Sequence, residues 1–301
     1  MTAGTLDEPI IPGADLRATR SWRSIKSAIM TGLMTAAVVV VALPLVAVVG
    51  AVFSRGSRVA LHGFPAFFVA EVPLIARKPG PGMGPAILGT LLATGAATLI
   101  SVPLGVMGSV YLHEYGGRNV FSRVVRFMAN VMTGVPSVVM GLFIYVLWTL
   151  HFGYSAFGGG LALACLMLPV VIGASEQMLR LVPDHLREAG YAVGASKSRT
   201  ILTIVLPAAI PGIVSGALLA VARAAGETAP LLFAVGSASA YNPNLFKEAN
   251  TALSLQIFGN ATSSFVPAQD RAWGAALTLV LLTFVLTFVA RLVTARFARR
   301  R

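Results

Sequence analysis

Two side chains of opposite charge lie four residues apart in an apolar segment that reads ARAAGETAPLLF from position 222. Residues at this spacing share one face of a helix, so the guanidinium of Arg223 and the carboxylate of Glu227 are able to meet. A guanidinium presents a planar set of donors that matches the oxygens of an oxyanion, and it stays protonated at physiological pH. Because a charge at the centre of a bilayer costs about 2.5–3.5 kcal/mol, the pair predicts a protein interior or a cavity rather than lipid around it.

A purely structural role for this pair is the alternative. An ion pair at this spacing stabilises a helix only slightly, and burying it rarely improves on apolar residues of the same size. An apolar pair would pack at least as well, so this reading leaves the two charges unexplained. Upstream, Gly212 and Gly216 form a small-xxx-small pattern that predicts the close approach of another helix.

The composition places the chain in a membrane. Of 301 residues, 56% are hydrophobic and only 11% are charged, whereas a soluble domain has about 25% charged residues. The net charge is +12, but the basic residues form no face interleaved with aromatic residues. This distribution argues against nucleic acid as a partner. Cys165 is the only cysteine and the histidines are scattered, so we expect no disulfide, no metal site and no cofactor bound by this chain.

The uncharged segments predict an all-α membrane protein with six spanning helices, each needing about 20 apolar residues. They form a transmembrane domain over residues 27–297, between a polar cytoplasmic tail at 1–26, which lacks the apolar core of a signal peptide, and a basic tail at 298–301. The segment after Arg126 is too long for one span and is expected to turn at HFGYSAFGGG. The predicted helices lie near 29–53, 85–111, 127–149, 158–179 and 208–236, and between Arg271 and Arg291.

The distribution of lysine and arginine predicts the orientation of these helices. Most basic residues lie in four segments on one side, at 17–26, 118–126, 180–199 and 291–301. By the positive-inside rule this side is cytoplasmic, together with both termini. The anionic lipid of the inner leaflet then balances the excess positive charge.

The cytoplasmic segment RLVPDHLREAGYAVGASKSRTILTIVLPAAIPG (180–212) predicts two short helices joined at a glycine. Pro183 and Asp184 suit the start of the first helix, and Gly194 suits its end in a left-handed turn. The second helix is expected near 198–206, stopped by Pro207. The segment is interpreted either as an amphipathic loop lying on the bilayer or as a docking element for a soluble partner.

The spacing of this segment resembles the EAA loop of ABC importer permeases, E-A-A-x3-G-x9-I-x-L-P. The matching residues are Glu188, Ala189, Gly194, Ile204, Leu206 and Pro207, with Gly190 in place of the second alanine. The resemblance implies that the coupling loop, residues 180–207, seats in a groove of a separate ATPase. The chain itself has no G-x-x-x-x-G-K-[ST] loop, so the resemblance implies a transport subunit that is not an enzyme, with ATP and magnesium used by the partner ATPase.

Three further stretches resemble the permeases of phosphate ABC importers, and GETAPLLF is closer to the PstA-type than to the PstC-type subunit. They are GVPSVVMGLFIY (134–145), ARAAGETAPLLF (222–233) and RAWGAALTLVLL (271–282). The resemblance implies a type I, MetI-like fold in a bacterial cell membrane. It also implies a heterodimer with a PstC-type permease, a dimer of ATPase subunits below and an extracytoplasmic phosphate-binding protein above.

On this resemblance the substrate path holds Arg223, Glu227, Thr228 and Glu176. Arg223 binds phosphate in transit, and Glu227 holds the arginine when the path is empty, so that phosphate has to compete and binding stays weak. Glu176 is expected either at the exit or at a solvated helix end. Many relatives carry an arginine where this chain has Gly173, a charge that the partner permease would then supply.

Two other functions are kept open by the sequence. The chain could belong to an importer of another oxyanion, such as sulfate, molybdate or phosphonate, because these permeases share the loop. It could also be a stand-alone secondary anion carrier with Arg223 and Glu227 as a proton-linked gate. Secondary carriers often show inverted repeats, however, and usually have more helices.

Overall fold

The computed structural model describes residues 22–299 except 79, 81 and 118, with side chains for all of these but 290 and 293–299. Every regular element among these residues is a helix, as predicted. Most of the predicted tails at 1–26 and 298–301 falls outside the described residues, although residues 22–26 belong to the first helix. By its internal contacts the chain divides into two units, residues 1–50 and 51–301, and the described part of the first is a helix with exposed side chains.

Thirteen α-helices follow one another in the described residues, and three of the connections between them are π-helical turns. The π turns are Tyr111–Tyr115, Tyr145–Thr149 and Ile201–Val205. The α-helices are α1 Trp22–His62, α2 Ala66–Val69, α3 Gly84–Val110, α4 Val120–Gly134, α5 Ser137–Ile144, α6 Leu150–Phe152, α7 Ala156–Arg180, α8 Asp184–Ala192, α9 Lys197–Thr200, α10 Leu206–Ala225, α11 Ala229–Ala234, α12 Leu253–Ala261 and α13 Val266–Arg299.

Five helical segments of the described residues are long and apolar enough to cross a membrane. They are Trp22–His62, Gly84–Tyr115, Ala156–Arg180, Lys197–Ala225 and Val266–Val289. A sixth span results if α4 is taken together with the helical run Ser137–Phe152, which is bent from it by 108°. The number of spans therefore agrees with the six predicted helices when the bent pair is counted as one.

The predicted helix near 127–149 is interrupted by this bend. Proline disfavours the helical conformation in the residue before it. Val135, which precedes Pro136, is accordingly extended, with φ −73° and ψ 130°. The break leaves the end of α4 and the start of α5 free to line a cavity instead of packing as one rod.

The predicted helix at 208–236 is wrong at both ends. It begins earlier, because Pro207 does not stop the short helix before it: α9, the π turn Ile201–Val205 and α10 form one continuous run. A π turn holds one residue more than an α turn. Such a turn lets a helix continue where a proline, here Pro207, disrupts the regular hydrogen bonds. The run ends at Ala225, and a new helix starts only at Ala229.

The core of the second unit lies between α3 and α7. Ala93 and Ala97 of α3 are buried against Leu163, Met167 and Val171 of α7. The predicted approach at Gly212 and Gly216 is also to α7, where these glycines face Met178 and Ala174. Small residues on these three helices therefore let both α3 and α10 pack closely against α7. The rest of the surface of α7 is left for polar side chains.

Replacing Gly160 of α7 by alanine is expected to destabilise the fold by about 1–3 kcal/mol, through overpacking. The new Cβ would lie 2.7 Å from the Cβ of Ala96 and 3.1 Å from the carbonyl oxygen of Ala93. Gly95→Ala is the matched control, since its Cβ meets nothing within 4 Å and alanine favours helix. The measurement is the midpoint of thermal unfolding in detergent, and equal midpoints for the two variants would contradict the packing described here.

Candidate substrate cavity and coupling loop

Arg223 and Glu227 come together where α10 ends. Glu227 lies in the non-helical segment 226–228, and its amide N–H donates to the carbonyl oxygen of Ala224 at 3.1 Å. This turn brings Oε1 of Glu227 to 3.4 Å from Nε of Arg223. The hydroxyl of Ser254, in α12, donates to the carbonyl oxygen of Glu227 at 2.9 Å. The ion pair therefore joins the last turn of the helix to a backbone turn that is held by another element.

A cavity of about 430 Å³ opens beside this pair. It lies among α4, the start of α5, α7 and α10, and it is lined by Thr133, Ser137 and Met167 as well as by the two charged residues. The side chain of Arg223 is 75% exposed, and that of Glu227 is 22% exposed. Since liquid water occupies about 30 Å³ per molecule, the cavity has room for a small oxyanion and several waters.

Thr228, the third residue predicted for this path, is partly buried as the residue that precedes α11. It is absent from the described residues that line the cavity. Its carbonyl oxygen accepts the amide N–H groups of Leu231 and Leu232. The geometry therefore gives Thr228 a role at the start of a helix and does not bring it to the cavity wall.

Glu176 lies in a second cavity, of about 240 Å³, between α4 and α7. Its Oε1 forms an ion pair with Nη2 of Arg126 at 3.0 Å and accepts a hydrogen bond from Nη2 of Arg180 at 2.9 Å. Glu176 is only 8% exposed, so it does not sit at a solvated helix end. Two guanidinium groups share this one carboxylate, and the site therefore carries an excess positive charge.

Gly173 lines the same cavity, and a Cβ built on it meets nothing within 4 Å. A larger side chain here would extend into the open space of the cavity. The excess positive charge comes instead from Arg126, whose position in the sequence is far from Gly173. The chain itself therefore places a cation next to Glu176.

The coupling loop contains the short helix α8, as the sequence predicts, and α9, which begins the long helical run instead of ending before Pro207. Gly194 has φ +81°, the left-handed conformation that favours glycine, and the N–H of Ala195 donates to the carbonyl oxygen of Gly190 at 3.1 Å. Glu188 and Ala189 are exposed on the first helix. These contacts give the loop a fixed turn with an exposed acidic side chain.

Gly190 replaces the second alanine of the EAA pattern for a steric reason. It is buried, and a Cβ at this position would lie 2.8 Å from Cγ2 and 2.9 Å from Oγ1 of Thr200. Ile204, Leu206 and Pro207 follow in the helical run that begins at α9, where they are partly buried. The loop is therefore packed on the end of the bundle and is continuous with α10.

Sequence reasoning missed three residues of these sites. Arg126 was assigned to a cytoplasmic loop by its place at the edge of an uncharged segment, although it pairs with Glu176. Ser137 and Ser254 gave no signal, because a serine next to apolar residues is common in spanning helices. Only the position of Ser137 directly after Pro136 marked a possible break in the helix.

The family of the chain follows from its similarity to known proteins. Residues 101–301 match the family described as binding-protein-dependent transport system inner membrane component. The chain belongs to this family. It is also 42% identical over 305 residues to phosphate transport system permease protein PstA 1 of Mycobacterium tuberculosis, across 100% of this chain and 97% of the relative. A PstA of Yersinia pestis is 36% identical over 281 residues, across 93% of this chain and 94% of the relative.

Solved structures of ABC transporters have the same fold. A bacterial alginate ABC transporter, in complex with a periplasmic protein bound to an alginate pentasaccharide, matches with a TM-score of 0.60 and 14% identity, over 94% of this chain and 98% of that one. The inward-facing MetNI methionine ABC transporter matches with a TM-score of 0.55 and 18% identity, over 71% and 93%. These likenesses concern the fold alone and confirm the predicted MetI-like architecture. The family and the relatives named PstA confirm the predicted membrane transport subunit of the PstA type, as distinct from an enzyme.

The packing of Gly190 against Thr200 can be tested by a double-mutant cycle. Gly190→Ala is expected to destabilise the coupling loop by about 1–3 kcal/mol, because the new methyl group has no room. Adding Thr200→Ala should recover most of this loss, since it removes both atoms in the close contact. The readout is the rate of limited proteolysis within residues 180–207. Additive effects of the two substitutions would show that the contact does not exist.

Proposed function

We propose that this chain is the permease subunit of an ATP-driven importer that passes inorganic phosphate from an extracytoplasmic binding protein to the cytoplasm. The observation that carries the proposal is a guanidinium open to a cavity between apolar helices, in a chain 42% identical to a phosphate permease. Phosphate cannot cross hydrocarbon unaided, because an ion loses its hydration there. A cavity that offers a fixed cation supplies the missing interaction.

Arg223 is suited to weak and reversible binding of phosphate. Its Nε faces Glu227 at 3.4 Å, a long contact, and three quarters of its side chain is exposed. Its two terminal nitrogens are therefore available for two oxygens of phosphate. Because phosphate competes with Glu227 for the guanidinium, it is released again, and Glu227 keeps the arginine in place afterwards. Glu227 also offers a carboxylate that accepts a hydrogen bond from the P–OH group of HPO₄²⁻.

The cavity around Glu176 supports a second station on the same path. Both cavities are bounded by α4 and α7, and Glu176 lies further towards the carboxyl end of α7 than the residues beside Arg223. Arg126 and Arg180 share the carboxylate, which leaves an excess positive charge beside the cavity. An arriving phosphate is attracted by this charge, and the carboxylate displaces it again.

The partners and the orientation follow from the same proposal. The exposed Glu188 and Ala189 belong to the loop that an ATPase subunit dimer grips from the cytoplasm, with both termini of the chain on that side. A PstC-type permease completes the membrane domain as a heterodimer, and a phosphate-binding protein delivers the anion from outside. A permease for sulfate, molybdate or phosphonate is the second candidate, since these anions present similar oxygens to a guanidinium; the relatives named PstA favour phosphate.

Arg223→Lys and Glu227→Gln are each expected to lower phosphate uptake about ten-fold or more. This is the effect expected from the loss of one charge-assisted hydrogen bond. Lysine keeps the charge but loses the planar pair of donors, and glutamine no longer competes with phosphate for the arginine. ATP hydrolysis by the assembled complex should continue in both variants. Uptake of labelled phosphate and ATPase activity are measured separately in proteoliposomes.

The matched control for these variants is Arg58→Lys. It makes the same chemical change at an exposed position that lines neither cavity. We expect uptake at the level of the unmodified complex. Full uptake in both Arg223→Lys and Glu227→Gln would exclude the proposed exchange of Arg223 between phosphate and Glu227. The ion pair would then have only a structural role.

The subunit composition gives a further test. The chain carrying an affinity tag, extracted from its own membrane in mild detergent, is expected to bring down an ATPase and a second permease. ATP hydrolysis by this preparation should rise when a phosphate-loaded binding protein is added. Phosphate uptake by the purified chain alone, driven by a proton gradient without ATP, would instead identify the secondary carrier.

A further inference from the structure

A buried ion pair joins the coupling loop to the end of the span Gly84–Tyr115. Arg187, on α8, donates from Nη2 to Oε1 of Glu114 at 2.9 Å and from Nε to the same oxygen at 3.3 Å. Glu114 belongs to the π turn Tyr111–Tyr115 that continues α3. The side chains of Arg187 and Glu114 are 13% and 6% exposed, so water has little access to the pair.

The same guanidinium also reaches the end of α7. Nη1 donates to the carbonyl oxygen of Val182 at 2.7 Å, and Nη2 donates to that of Leu179 at 3.1 Å. Carbonyl groups at the end of a helix have no partner within it and are satisfied here by a charged donor. A single side chain of the loop therefore holds the ends of two spanning helices.

The second helix of the loop contacts the same π turn. The ammonium of Lys197, at the start of α9, donates to the carbonyl oxygen of Glu114 and lies 4.9 Å from the centre of the Tyr115 ring. The residues between Lys197 and Ala225 form one continuous helical run. Both helices of the loop are thus attached to the cytoplasmic end of α3.

Stability alone does not explain a buried pair of this kind. Replacing such a pair by apolar residues of similar size is often neutral or stabilising, and apolar residues already pack under this loop. A charged fork differs from apolar packing in fixing direction, because its donors must face their acceptors. What the pair adds is a defined angle between α8 and the helices that it joins.

We propose that Arg187 is a positioning residue that makes the coupling loop and the span Gly84–Tyr115 move as one body when the ATPase closes. This inference rests on the proposed function, since it assumes that an ATPase grips the loop. Glu114 is the partner that carries the motion into the span. Asp184 also pairs with Arg187, at 3.0 Å, but it lies on α8 itself and is 89% exposed.

The two carboxylates allow a matched comparison. Glu114→Gln and Asp184→Asn remove the same charge from the same arginine, but only the first cuts the link between loop and span. In proteoliposomes of the full complex, Glu114→Gln is expected to lower phosphate taken up per ATP hydrolysed about five-fold, a typical coupling between sites. Asp184→Asn should lower this ratio much less, because it leaves the link between Arg187 and Glu114 intact. A merely structural role would reduce the amount of assembled complex and not the ratio.

Arg187→Lys is a second variant in case Glu114→Gln does not assemble. Lysine keeps the charge but cannot reach Glu114 and both carbonyl groups at once, so the same fall in the ratio is expected. An unchanged ratio in the assembled variants, or an equal fall in Asp184→Asn, would overturn the inference.

A distance measurement separates this inference from the proposed function. Spin labels at the exposed positions 185 and 107, placed in a background with Cys165 replaced, report the distance between α8 and α3. It is expected to stay the same with and without trapped ATP in the unmodified complex and to change in Glu114→Gln. A change in both would refute the positioning role even if phosphate is not the substrate, whereas an absence of phosphate uptake by the unmodified complex would refute only the proposed function.

Discussion

A charged side chain among apolar helices has to meet an opposite charge, a polar group or water, and this requirement organises the interior of the chain. Along α7, the residues beside Arg223 come first, Glu176 with its two arginines comes next, and Leu179 under Arg187 comes last. At each level a carboxylate is shared with at least one guanidinium. Helix α7 thus packs on α3 through small residues, and the charged residues named above lie beside it at three levels.

The break at Pro136 and the end of α10 at Ala225 serve the same arrangement. Each ends a helix next to the cavity of Arg223, so that backbone turns and not helix faces form part of its wall. A continuous pair of helices would bury this space between side chains. The open cavity and the exposed guanidinium therefore depend on two interruptions of the helical bundle.

Much of this structure could be predicted from local features of the sequence. The apolar segments gave the all-α class, and Ala156–Arg180 agrees closely with the predicted helix at 158–179. Gly194 has the left-handed conformation expected of a glycine at that position. The spacing of Arg223 and Glu227 brought them into contact even though the helix that was expected to join them ends between them.

The remaining features depend on contacts between distant segments, which composition and spacing do not encode. Pro136 breaks a helix while Pro207 is absorbed by a π turn, and the two residues look alike in the sequence. The pairing of Glu176 with Arg126 could not be predicted, because Arg126 reaches it only through the packing of α4 on α7. Gly190 likewise became intelligible only when Thr200 was found against it.

The π turn Ile201–Val205 gives the helical run Lys197–Ala225 an adjustable register. A π turn holds one residue more than the α turn that it replaces, and this surplus residue can shift along a helix by exchanging hydrogen bonds with its neighbours. Each residue that it passes rotates by about 100° and advances by about 1.5 Å. A small displacement at the Lys197 end of the run thus becomes a rotation of the side chains that the surplus residue passes, without unwinding the helix.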